Sequence, residues 1–203
     1  MTDFGLTDVS RETLERLTVF ESLVHKWNPV INLVSRKSLA EIRERHIADS
    51  VQVFQAGPRV FDHWLDIGSG GGFPGLVIAI LAAECAPDAR VTLIESDMRK
   101  STFLRTVVRE AGLATNILSE RIELVEPQDA DVLSARALAD LNDLLAFSAR
   151  HLAQDGLAIF PKGATWKQEV TSAKSQWNFS TQTVKSKLDP DAAILCITGV
   201  SRV

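Results

Sequence analysis

Four glycines in five positions, Gly68-Ser69-Gly70-Gly71-Gly72, stand between two apolar runs. Upstream is Val60 to Ile67; downstream, after Phe73-Pro74-Gly75, is Leu76 to Ala83. The first run reads as a buried strand and the second as a helix. Glycine loses more conformational freedom on folding than any other residue. Four together therefore point to a turn needing φ > 0, or to backbone that a ligand approaches closely. Pro74 suits the first turn of a helix, where its missing N–H costs nothing. Strand, glycine turn and helix in this order open the nucleotide crevice of doubly wound α/β folds.

Two glycine registers fit. Gly68-x-Gly70-x-Gly72, just after Asp66, has the spacing used to bind S-adenosylmethionine (SAM). Gly70-x-Gly72-x-x-Gly75 satisfies the dinucleotide fingerprint. The second register starts beyond the apparent strand end and contains Pro74, so SAM is favoured and an NAD(P)-dependent oxidoreductase is the alternative.

Before the glycine turn the periodicity is helical. Leu14, Leu17, Leu23, Val24 and Trp27 form one stripe, with Pro29 expected to end that helix. Ser38-Leu39-Ala40-Glu41 reads as a capping box opening a second helix, closed by Gly57-Pro58. Residues 1–57 are expected to be a helical extension and 58–203 an α/β domain. In the latter, strands are expected at Val60–Ile67, Arg90–Glu95, Asn116–Leu118, Asp131–Ala135 and Leu157–Phe160. Helices alternate with them: Pro74–Ala83, Arg99–Ala111, Leu141–Leu152 (stopping near Gly156) and Thr165–Lys174. Alternation predicts a mostly parallel sheet covered on both faces. Asn178–Ser186 and Ala193–Val200 are joined too closely for a parallel crossover, so they should form an antiparallel C-terminal hairpin. This is the Rossmann-like, class I SAM-dependent methyltransferase arrangement; a dehydrogenase would more often continue into a second mononucleotide half.

The formal net charge of −4 announces no nucleic-acid partner, although a local basic face is compatible with an acidic total. Cys85 and Cys196 lie in apolar surroundings and read as core filler; no metal spacing or disulfide framework is present. Met1–Gly5 is neither basic nor apolar, and no apolar run reaches membrane-spanning length. A cytoplasmic protein with no metal and no membrane partner is expected.

Glu95, ending the second strand, is placed to accept hydrogen bonds from ribose hydroxyls. It supports a nucleotide without choosing one. Ile122-Glu123, after the third strand, offers an apolar surface and a polar neighbour for adenine. Asp66 either meets the charged amino-acid end of SAM or caps the amides of its own turn.

Asp66-Ile67-Gly68-Ser69-Gly70-Gly71-Gly72-Phe73-Pro74-Gly75 resembles the signature of the RsmG (GidB) family of bacterial 16S rRNA guanine-N7 methyltransferases. Agreement continues at His25-Lys26-Trp27-Asn28, Asn32-Leu33-Val34-Ser35, Arg45-His46-Ile47-Ala48-Asp49-Ser50, Arg99-Lys100-Ser101-Thr102-Phe103-Leu104-Arg105, Ser134-Ala135-Arg136-Ala137 and Lys162-Gly163. Gly71 departs from the commoner alanine or proline, and nothing beyond Gly163 carries a motif. The resemblance implies methyl transfer from SAM to N7 of guanosine 527 in 16S rRNA. By motif it implies that Gly68, Phe73, Ile122, Glu123 and Arg136 touch the cofactor; Gly70, Glu95 and Asp66 are added on physical grounds.

The residues suit that chemistry. Guanine N7 carries a lone pair and no proton, so no general base is needed and positioning dominates. The fourth strand ends in Ser134-Ala135-Arg136 rather than in the Asn/Asp-Pro-Pro-aromatic segment of exocyclic-amine methyltransferases, and no cysteine lies there. Arg136 should orient cofactor or phosphate rather than grip N7, which must stay free. Arg45 and Asp49, four apart, share a helix face. With His46 they are expected to close one wall of the RNA site, Asp49 offsetting charge on the methylated base. Lys26, Arg36, Lys37, Arg43, Arg45, Arg99, Lys100, Arg105 and Lys162 are candidates for a basic rim meeting RNA phosphates, or are solvated helix faces. Trp27 suits core packing better than base stacking. The expected partner is 16S rRNA within a small ribosomal subunit particle. A SAM methyltransferase of a non-RNA substrate and a non-catalytic SAM-binding module are the other readings.

Overall fold

The computed structural model describes residues 9–203. Residues 1–8, including the Met1–Gly5 stretch, lie outside the described residues. The first helix, α1 (Arg11–Ile31), opens on Ser10, whose hydroxyl accepts from the Thr13 N–H at 3.1 Å. It runs through Pro29 and ends at Asn32, which takes the left-handed conformation (φ 50°). Pro29 therefore does not stop the helix as its sequence position suggested. Ile31, two residues on, is buried, and the Asn28 side chain accepts the Val34 N–H at 2.8 Å, so packing and a local cap carry the chain past the missing donor.

The second helical region also starts earlier than expected. Ser35, not Ser38, caps the short helix α2 (Arg36–Leu39), accepting from Ser38 N–H at 3.2 Å. A π-helical turn, Ile42–Ile47, follows and leads into α3 (Ala48–Ala56), which closes at Gly57.

The sheet has seven strands: β1 (His63–Ile67), β2 (Arg90–Ile94), β3 (Thr115–Leu118), β4 (Ala130–Ser134), β5 (Leu152–Lys162), β6 (Trp177–Lys185) and β7 (Ala193–Arg202). Their order is β3-β2-β1-β4-β5-β7-β6. The first five pair in parallel, whereas β7 runs antiparallel to both β5 and β6. The sheet thus closes on an antiparallel pair where a dinucleotide-binding fold would continue with a second parallel half. β1 begins at His63 rather than Val60, which is 85% exposed; the Asp62 and His63 amides turn to the Asp131 carboxylate instead. β5 begins at Leu152, directly after a helix, with a bulge against β4 between Ala130 and Val132; Gly156 lies inside the strand rather than stopping the helix.

Consecutive strand residues enter opposite cores: Trp64 and Leu65, Leu93 and Ile94, Val132 and Leu133, Ile159 and Phe160. One core lies under α6 (Leu141–His151) and α7 (Trp166–Ala173). The other lies under α4 (Gly75–Cys85) and α5 (Met98–Glu110). Gly75 through Ala82 of α4 are all buried. A helix apolar on every side needs cover beyond one sheet, and α1 and α3 supply it: Leu17, Phe20, Val24, Val51 and Val53 join that same core. Glu84 ties the arrangement down, accepting from the Ser10 amide and the hydroxyls of Ser10 and Thr13. Cys85, at the emerging end of α4, is exposed and Cys196 on β7 is half-buried, so Cys85 is not core filler.

Candidate active site

The strand order reverses at β1, and the crevice expected at such a switch point opens there, above the C-terminal strand ends. It is a cleft of about 700 Å³ reached by the loops after β1, β2, β3 and β4. The glycine turn forms its floor. Gly68, Gly70 and Gly72 have φ of 62°, 53° and 87°, which L side chains rarely adopt. A Cβ at Gly68 would stand 2.4 Å from Leu138 Cδ1, whereas at Gly70 no protein atom comes closer than Gly68 O at 3.7 Å. Gly70 is therefore spare of protein contact on the side that lines the cleft.

Glu95, just past β2, is buried and fixed. Gly70 N–H donates to its Oε2 and Asp97 N–H to its Oε1, both at 2.7 Å. A carboxylate accepts about four hydrogen bonds, so roughly half its capacity remains for a ligand. Ile122 and Glu123 line the opposite wall. Their loop is held from α6: His151 Nε2 lies 3.0 Å from Ile122 O, and Arg150 donates to Val125 O at 2.8 Å.

At the inner end of the cleft stand Phe73, His46 and Arg136. The His46 ring packs 5.1 Å from that of Phe73, and the Arg136 guanidinium sits 5.4 Å from the same ring. Arg136 pairs with Asp49 at 3.6 Å. Both His46 ring nitrogens are buried without a hydrogen-bond partner among the described residues. Burial, reinforced by Arg136 and Arg45, pushes the His46 pKa down to about 4. Burial likewise raises Asp49 against the pull of Arg136, and lowers Arg136 against the pull of Asp49 and Asp66.

The family described as rRNA small subunit methyltransferase G matches residues 13–194 of this sequence. The chain belongs to that family. Ribosomal RNA small subunit methyltransferase G of Ruegeria pomeroyi is 57% identical over 201 residues, 99% of this chain and 98% of that protein. The protein of the same name from another Ruegeria species is 58% identical over 196 residues, 97% and 95% of the two chains. Among solved structures, a methyltransferase from Geobacter sulfurreducens superposes with a TM-score of 0.62 at 16% identity, covering 96% of this chain and 91% of that one. M. jannaschii TYW2, crystallised in complex with AdoMet, gives 0.56 at 13% identity over 84% and 78%. At such identities these two structures show the shared fold.

Within this methyltransferase G fold, the structure brings Gly68, Gly70, Phe73, Glu95, Ile122, Glu123, Arg136 and Lys100 to one cleft. Asp66 does not reach it. Its side chain is fully buried beneath the glycines, accepting from Ser134 Oγ at 2.6 Å, while Ser134 in turn accepts from Trp64 Nε1 at 3.0 Å. Burial lifts its pKa to about 6, against the pull of Ser134 and other donors. Asp66 ties β1 to β4 rather than meeting a ligand directly. Arg45 and Asp49 do not pair as an α-helical spacing implied. Arg45 lies in the π-helical turn and pairs with Glu41 at 3.4 Å, leaving Asp49 to Arg136. Lys162 is not a free rim cation: it donates to Ala139 O at 2.9 Å and to Glu169 at 2.8 Å. Arg43 is paired with Glu21, and Arg99 lies exposed beside Asp97 at the start of α5. Trp27 packs 5.8 Å from Phe103, as core. Leu33, Ala137 and Leu138 line the cleft and were not anticipated. For the latter two the available signal was their place just after a parallel strand, where ligand-contacting loops gather.

Proposed function

We propose that this methyltransferase G family member moves the methyl group of SAM to N7 of guanosine 527 in 16S rRNA, acting in the cytoplasm on RNA already within a small-subunit particle. The observation that carries the reading is family membership across residues 13–194. The cleft fits SAM. Gly70 leaves room for close backbone approach, Glu95 keeps acceptor capacity for ribose hydroxyls, and Ile122 with Ile94 offers an apolar bed for adenine. SAM bound there supplies a methyl group on a positively charged sulfur.

The chain's own task is then positioning. Nothing need remove a proton from N7, and His46, neutral at pH 7, adds no charge beside a base that becomes cationic. Orientation of this kind supplies up to about 7–11 kcal/mol in favourable cases. Arg136, held by Asp49 and lying over Phe73, orients the groups that meet at the inner end of the cleft. Asp49 offsets the charge gained by the base. The net charge of −4 and the pairing of Arg43, Arg45 and Lys162 with carboxylates weaken the basic rim available to naked RNA, which supports a particle substrate. Transfer from methyl-labelled SAM to small-subunit particles and to naked transcript tests this. Particles should be labelled and transcript should not. Arg136→Ala should lose transfer while keeping wild-type helix content by circular dichroism; wild-type turnover by that variant would refute the role given to Arg136.

A further inference from the structure

A second cavity, of about 710 Å³, adjoins the cofactor cleft and shares His46, Arg136 and Ala137 with it. The remaining wall includes the carboxylates of Glu41, Glu44, Asp49 and Asp189. Each cation on that wall is already engaged: Arg45 with Glu41, Arg136 with Asp49, Lys162 with Glu169. A phosphate entering would meet uncompensated carboxylates. A neutral group rich in hydrogen-bond donors, and gaining positive charge during reaction, meets a complementary wall.

Polar groups lining the second cavity are under-satisfied. Among the described residues Arg136 is the one partner of Asp49, at 3.6 Å, longer than a normal hydrogen bond. The Asp49 side chain is only 21% exposed and, among the described residues, no hydrogen-bond donor reaches its oxygens, so its acceptor capacity lies open to the cavity. Both ring nitrogens of His46 are also without partners among the described residues, where buried polar groups are normally paired. Ala137, shared by both cavities, is held at φ 52°, a strain that gathers at functional sites.

Resting on the function above, we propose that the target guanine leaves its stack and enters this second cavity, where Asp49 accepts from N1–H and the N2 amine and N7 faces the cofactor cleft. One edge of guanine carries those donors and the other carries the N7 and O6 acceptors. Holding the donor edge leaves the N7 lone pair free. As N7 bonds to the methyl carbon, the carbon–sulfur bond breaks, sulfur keeps the electron pair, and the positive charge passes to the purine beside Asp49. Adenine presents a lone pair at N1 and is rejected. Asp49 is thus a specificity-determining residue.

The test uses small-subunit particles assembled on ligated 16S rRNA with either guanosine or inosine at the target; inosine keeps N7 and N1–H but lacks the N2 amine. A bidentate contact to a base edge is worth about 1–3 kcal/mol, so the wild type should prefer guanosine in kcat/KM by about fivefold to 150-fold. Asp49→Asn should compress that preference severalfold while binding SAM normally, and Asp49→Glu should restore part of it. Equal use of both substrates by the wild type overturns the proposal alone, as does a full preference retained by Asp49→Asn. No label in the guanosine particle overturns the proposed function and this inference with it.

Discussion

His46 and Asp66 should pull the stability of this protein in opposite directions between pH 7 and pH 4. His46 is held down to about 4 from an ordinary value near 6.5, so its contribution is present above pH 6.5 and lost as the pH falls through 4. Asp66 is lifted to about 6 from 3.8, so its contribution is present below pH 3.8 and lost as the pH rises through 6. At about 1.4 kcal/mol per pH unit, each shift corresponds to roughly 3 kcal/mol, with opposite sign. Asp49, also raised, adds to the Asp66 side. Glu84 and Asp97, both held low by hydrogen bonds, weaken the fold in acid in every variant alike. Difference curves therefore isolate the pair. Urea unfolding of wild type, Asp66→Asn and His46→Gln at half-unit pH steps gives the stability of each. From pH 4 to pH 7, Asp66→Asn should gain about 3 kcal/mol relative to wild type and His46→Gln should lose about 3 kcal/mol. Flat difference curves, or two curves of the same slope, would refute the burial argument for these two groups.

Three further outcomes follow from the geometry. Gly70→Ala meets no protein atom within 3.5 Å and costs about 1–2 kcal/mol of left-handed strain, so the protein should fold while SAM affinity, by calorimetry, falls at least tenfold. Glu95→Gln replaces an acceptor held by two amide hydrogen bonds and should weaken SAM binding by about tenfold, about 1.4 kcal/mol, with little change in helix content by circular dichroism. Ile78→Ala empties a fully buried position on α4 and should cost about 2–5 kcal/mol in urea unfolding, because α1, α3 and the sheet all close on that helix.

Local signals carried the glycine turn, the parallel strands and the late antiparallel pair. Buried strands were rich in apolar residues, and the short Asp189-Pro190-Asp191 connection allowed one pairing geometry. What escaped depends on distant partners. Pro29 stays helical because Ile31 is buried and Asn28 caps the next turn. Arg45, in the π-helical turn Ile42–Ile47, pairs with Glu41 and Asp49 with Arg136, which a four-residue spacing alone cannot foretell. Glu95 was legible because the residue just past a strand beside the glycine turn has one place to go. Asp66 was not, since its buried partner Ser134 lies 68 residues away on β4. The pairing of Lys162 escaped for the same reason: Glu169, on α7, holds it. The approach of Arg136 to Asp49 joins residues far apart in the chain, and family resemblance rather than periodicity pointed to it.

The most direct test of the central claim is the position of the transferred methyl group. Purified protein is incubated with methyl-labelled SAM and small subunits from cells lacking the endogenous enzyme, and the label is mapped by nuclease digestion. Label recovered as 7-methylguanosine at the single expected position is the predicted result. Label on another atom, another nucleotide or a ribosomal protein would contradict it.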